Sequence, residues 1–106
     1  MSTKHLNDDV IVLLQQWYAS QCNGDWEHSY GVKIDTLDNP GWILTVDLDE
    51  TELSGLTIER DRADRSETDW AQHEVSKNKF IACGGPFNLE ELIRRFLAVS
   101  ASKAQQ

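Results

Sequence analysis

At 106 residues the chain is long enough for one domain and too short for a second hydrophobic core. Its composition, 40% hydrophobic and 26% charged, is that of an ordinary globular domain, so neither a metal nor a disulfide is expected to be needed for folding. A net charge of −8 argues against nucleic acid as a partner, and the lack of any run of about 18 apolar residues argues against a membrane span.

The N-terminus, Met1 to Asp9, lacks the apolar stretch of a signal peptide, which makes the cytoplasm the expected compartment. In that compartment Cys22 and Cys83 are expected as free thiols. The charge is unevenly placed. Residues 25–74 hold 14 acids and 4 bases, whereas the rest hold 4 acids and 6 bases. An acidic middle steers basic partners inward, although the same charge also serves solubility.

In chain order, the first element is a helix over 6–22, with Leu6, Val10, Leu13, Leu14, Trp17 and Tyr18 on one stripe. Asn7 is its expected N-cap, Leu6 and Ile11 its staple, and Asn23-Gly24 its end. A hairpin follows over 30–48. Tyr30, Val32, Ile34 and Thr36 alternate on one face, and Trp42, Leu44, Val46 and Leu48 alternate on the return strand. Asn39-Pro40-Gly41 suits a type II turn. Pairing Thr36 with Trp42 aligns both apolar rows and sets Lys33 diagonal to Asp47.

Residues 49–52 form a charged link, and 56–59 a short strand. The mixed-charge stretch 60–68 reads as an exposed loop or hairpin tip. Two more strands, 70–75 and 79–83, flank a turn at 76–78. Gly84-Gly85-Pro86 breaks the sheet. A last helix over 88–99 is capped by Asn88 with Glu91, stapled by Phe87 and Leu92, and lined by Leu89, Leu92, Ile93, Phe96 and Leu97. Glu90–Arg94 and Glu91–Arg95 have the spacing of helix ion pairs. The expected fold is therefore α+β: an N-terminal helix, an antiparallel sheet of about five strands, and a C-terminal helix. Both helices pack on one sheet face, in a single domain over 1–106 with frayed tails at 1–5 and 101–106.

The common catalytic templates are absent: no phosphate-binding glycine loop, no dinucleotide fingerprint, no Gly-x-Ser-x-Gly elbow, no CxxC and no HExxH. Two weaker constellations remain. Cys22 with Asp25, Glu27 and His28 has the residue types of a metal site or a Cys–His nucleophile, which leaves a small metal-binding protein or Cys/His enzyme as the alternative function. Cys22, His28, His73 and Cys83 have the types, though not the spacing, of a zinc site. Trp17 lies on the first helix's stripe and Trp42 and Trp70 begin strands, so these are expected in the core, whereas Trp26 sits in a polar loop and is the tryptophan expected to be partly exposed.

The stretches Trp17-Tyr18-Ala19-Ser20-Gln21-Cys22-Asn23-Gly24-Asp25-Trp26-Glu27-His28 and Tyr30-Gly31-Val32-Lys33-Ile34-Asp35-Thr36-Leu37-Asp38-Asn39-Pro40-Gly41-Trp42 together resemble the immunity protein 53 family of bacterial polymorphic toxin systems. So do Trp70, Phe80 and Asn88-Leu89-Glu90 further on, so that the resemblance runs from about Leu13 to Phe96. It implies a cytoplasmic protein, not an enzyme and without a cofactor, that binds and neutralises a cognate toxin. The acidic middle suits a basic toxin such as a nuclease. The residues expected to meet it are Trp26 as aromatic anchor, with Asp25, Glu27, Asp47, Asp49, Glu50, Glu52, Asp61 and Asp64. No catalytic, cofactor-binding or metal-binding residue is expected.

Overall fold

A computed structural model describes residues 9–104. The first helix, α1 (Val10–Gln21), begins where Asp9 Oδ1 accepts the amides of Ile11 (3.1 Å) and Val12 (3.3 Å). Asp9, not Asn7, is therefore the N-cap, since its carboxylate meets amides that the first turn leaves unpaired. Leu6 and Asn7, and with them the expected staple, lie outside the described residues. A short helix, α2 (Trp26–Ser29), follows, where the sequence reading had only a loop.

The strands are β1 (Val32–Leu37), β2 (Gly41–Asp47), β3 (Ile58–Asp64), β4 (Trp70–Ser76) and β5 (Lys79–Gly84), and the chain closes with α3 (Leu89–Ala104). They form one five-stranded sheet in the order β1-β2-β5-β4-β3, antiparallel throughout. The α+β expectation holds, as does the hairpin register, with Thr36 opposite Trp42 and Ile34 opposite Leu44.

The buried sheet residues share one phase: Leu44 and Val46 on β2, Phe80 and Ala82 on β5, Ala71 and Val75 on β4. In antiparallel pairs this places them on a single face. Leu92, Ile93 and Phe96 of α3 and Val10, Leu14 and Trp17 of α1 complete the core over that face. The Phe96 ring stands edge-on to Trp17 (4.8 Å) and Phe80 (5.2 Å), joining both helices to the sheet.

Several local expectations are corrected. The β1–β2 turn is Asp38–Pro40, and Gly41 belongs to β2 without the positive φ that a type II turn requires. Glycine is needed there for another reason: a Cβ would lie 2.3 Å from the Gly84 carbonyl oxygen on the neighbouring strand. Lys33, opposite Thr45, does lie diagonal to Asp47, but the Asp47 carboxylate takes its ion pair from Lys79, directly opposite on β5. The stretch 60–64, read as loop, is the body of β3. Its charges are met across the edge by Arg60–Glu74 (2.9 Å), by Arg62 Nη1 donating to Gln72 Oε1 (2.5 Å), and by Arg62 stacked over Trp70 (4.6 Å). A charged outer strand protects a sheet from further pairing, and its composition imitates a loop.

The α3 cap also differs. Phe87 is 91% exposed and makes no staple. Asn88 is buried, and its Nδ2 donates to Asp69 Oδ1 (2.9 Å) and Glu91 Oε1 (3.1 Å), so Asn88 and Glu91 meet through their side chains only. Both expected ion pairs form, Arg94–Glu90 at 2.8 Å and Arg95–Glu91 at 3.6 Å. The helix runs on to Ala104, beyond the expected end at 99.

Candidate partner-binding surface

The end of α1 is built to turn the chain. Asn23 Oδ1 accepts the amides of Asp25 (3.0 Å) and Trp26 (2.9 Å), while the Glu27 carboxylate reaches back to those of Asn23 (3.0 Å) and Gly24 (2.8 Å). The Asn23 bonds satisfy amides at the start of α2, and the Glu27 bonds satisfy those of the turn before it. Backbone amides, foremost its own and then those of Asn23 and Gly24, hold the Glu27 carboxyl below the usual range. Asp25 is exposed beside it.

Trp26 corrects the expectation of an exposed anchor. It is 2% exposed, its ring within about 6 Å of Trp17, Tyr18 and Tyr30. Its indole N–H donates to the Asp49 carbonyl (2.8 Å). A polar neighbourhood in sequence misled here, because the partners that bury the ring come from α1 and from the link after β2. In this structure Trp26 supports the surface and does not present itself on it.

The link after β2 is equally well anchored. Leu48 and Leu53 are fully buried, and the Leu48 amide donates to the Asn78 carbonyl (2.8 Å) in the β4–β5 turn. Asp49, Glu50 and Glu52 stand between these two plugs. Glu52 accepts from Trp17 Nε1 (2.9 Å) and Gln21 Nε2 (3.3 Å), which ties the link to α1. Asp47 accepts the Gly31 amide (3.0 Å) and the Lys79 ammonium. Tyr30 reports the field of this cluster: Asp49 first, then burial, then Glu50 and Asp47 push its phenol above the usual value.

Seven of the nine expected contact residues are thus brought to one end of the molecule, six as carboxylates around the buried Trp26. Tyr30, at the centre of three of these acids, was missed; its only sequence signal was its place between two acidic stretches. The remaining two lie elsewhere. Asp64 is on β3, held by Arg62 (2.7 Å). Asp61 is on the helix-covered face, at a cleft of about 540 Å³ with Leu56, Ile58, His73, Arg95 and Val99.

In that cleft Arg95 Nη1 donates to the Asp61 carbonyl (3.1 Å) and lies 2.8 Å from His73 Nδ1. A guanidinium only donates, so His73 Nδ1 is the acceptor and its ring proton sits on Nε2. Burial first and Arg95 second hold the His73 imidazole below its usual range, against the pull of Asp61. The unfolded chain takes up this proton at about pH 6.5, the folded chain only at lower pH. The unfolded state therefore binds more protons in between, and stability falls as pH falls through that window. Melting temperature should accordingly drop more steeply for the wild type than for His73→Gln between about pH 7 and pH 5. Parallel curves would show that His73 contributes nothing to the pH dependence.

The cysteine constellations are not assembled. Cys22 Sγ lies 3.4 Å from the Tyr18 carbonyl, and both cysteines are free. Cys83 is on the open sheet face, out of phase with His73 on the covered one. Among the described residues no three His, Cys, Asp or Glu side chains converge as metal ligands, and no helix is long and apolar enough to cross a membrane.

A family model described as Immunity protein 53 matches residues 11–101, from the start of α1 almost to the end of α3. The chain belongs to the immunity protein 53 family. Neither a curated protein nor a solved structure gives a match. In this immunity protein family member the match spans both walls of the acidic end, α1 with α2 and the link after β2.

Proposed function

We propose that the chain, acting as one domain in the cytoplasm of the producing cell, binds and neutralises a cognate toxin and catalyses nothing itself. Membership of the immunity protein 53 family supports a toxin as the partner. The observation that carries the surface is the gathering of Asp25, Glu27, Asp47, Asp49, Glu50 and Glu52 around a rigid aromatic support. A fixed concentration of negative charge suits a basic toxin face, and a nuclease that must attract phosphate has such a face. Asp47, already paired with Lys79, and Asp61 and Asp64, each held by an arginine, contribute less to this field than Asp25, Glu27, Asp49, Glu50 and Glu52.

The test replaces Asp49, Glu50 and Glu52 together by Asn, Gln and Gln. Amide oxygens can still accept the bonds that Glu52 receives, so the fold is kept while the charge is removed. Association with the cognate toxin should slow by about tenfold or more at low salt, and its salt dependence should flatten. Association at the wild-type rate at low salt would remove this end as the docking surface.

A further inference from the structure

β1 is an edge strand, paired only with β2. The Asp47 amide donates to the Gly31 carbonyl (3.0 Å), so Gly31, and in phase with it Lys33 and Asp35, direct their backbone groups to β2. Val32, Ile34 and Thr36 therefore direct theirs to the open edge. There the Thr36 amide is met only by Asp35 Oδ1 (2.9 Å), and residues 33–36 are all exposed.

The same edge borders an apolar groove. Ile11 (50% exposed), Tyr18 (40%) and Ile34 (43%) are three of the four exposed large hydrophobic residues among those described. All three line one groove of about 380 Å³ between α1 and β1. Exposed apolar side chains concentrated beside unpaired strand groups mark an interaction site.

We propose that this edge pairs with the same edge of a second copy of the chain, antiparallel, across a two-fold axis at Ile34. The charge pattern selects the occupant and the register. Centred on Ile34, Lys33 of each copy stands opposite Asp35 of the other, in the pair type where side chains approach most closely. Moving the axis to residue 33 or 35 sets lysine against lysine or aspartate against aspartate. Among the described residues Lys33 has no ion pair, and the Asp35 carboxylate meets only a backbone amide.

The sequence Lys33-Ile34-Asp35 is thus its own complement when reversed, a match that a foreign strand would have to supply separately. The outward backbone groups of Ile34, Val32 and Thr36 find partners in the second copy, with the Thr36 amide passing from Asp35 to the second copy's Val32. Ile34 packs against Ile34 on the helix-covered side, giving the groove a second wall. The interface is isologous, as closed dimers require. It also sits where a chain of net charge −8 can meet itself, because residues 32–36 carry one lysine and one aspartate.

Sedimentation of the full chain should show a dimer. Lys33→Asp should raise the dimer dissociation constant by about tenfold or more, because two aspartates then face each other. The double exchange Lys33→Asp with Asp35→Lys should return it to within about threefold of wild type, since the opposite-charge pairs re-form. Ile34→Lys should give a monomer with an unchanged circular-dichroism spectrum. A wild-type monomer at about 200 μM, equivalent to a dimerisation free energy near or weaker than −5 kcal/mol, overturns the proposal. So does a dimer unmoved by Lys33→Asp, or one not recovered by the double exchange.

Discussion

Replacing Trp26 by alanine should destabilise the fold by about 3–5 kcal/mol, the range for deleting a buried aromatic. That is a large part of the roughly 5–15 kcal/mol that holds a domain of this kind together. The loss has two sources. The vacated volume is bounded by Trp17 and Tyr18 of α1 and by Tyr30 at the end of α2, rings fixed by two elements that cannot all close inward. The Asp49 carbonyl also loses the indole donor at 2.8 Å. Trp26→Phe separates the two, because it keeps an aromatic ring and removes the donor; its cost should be nearer 1–2 kcal/mol, about that of an unmet acceptor with some lost packing. Denaturant titrations measure both. A loss below about 1 kcal/mol for the alanine variant would mean that the ring is not the support described here.

This residue also shows where sequence reasoning stops. The neighbours of Trp26 in the chain are Asp25 and Glu27, and charge on both sides reads as a solvated loop. Its burial depends on contacts with Trp17 and Asp49, and the second of these lies 23 positions away. Phe87 is the converse: adjacent to a helix start it reads as a staple, yet the buried Asn88 and the Gly84-Gly85 approach leave it facing solvent. Alternation was legible in the hairpin because both rows had a core to face, and that fixed the Thr36–Trp42 register. In β3 the side chains are charged on both faces, and the signal of an edge strand is the same as that of a loop.

The candidate surface was legible for a simpler reason. Asp25 and Glu27 follow one helix, while Asp47 ends one strand and Asp49 to Glu52 follow it, and both stretches leave their elements at the same end of the fold. Asp61 and Asp64 were drawn in by charge alone. A count of acids does not reveal that Arg95 and Arg62 already hold them, since those pairings depend on the placement of α3 and on the path of β3.

A comparison of Leu44→Ala with Ile34→Ala tests how far the covered face extends. The two residues are directly opposite on neighbouring strands and belong to the same apolar row in sequence. Leu44 is 0% exposed beneath α3, whereas Ile34, expected in the core, is 43% exposed because the helices stop short of the β1 edge. Leu44→Ala should therefore cost about 2–5 kcal/mol, transfer and cavity terms together. Ile34→Ala removes side-chain surface that water already reaches and should cost about 1 kcal/mol or less. Both are read from denaturant midpoints at a dilution where the chain is monomeric, so that no contact between copies adds to the second value. Equal losses would place the β1 edge inside the core, and would remove both the open groove beside Ile34 and the argument that a second copy of the chain covers it.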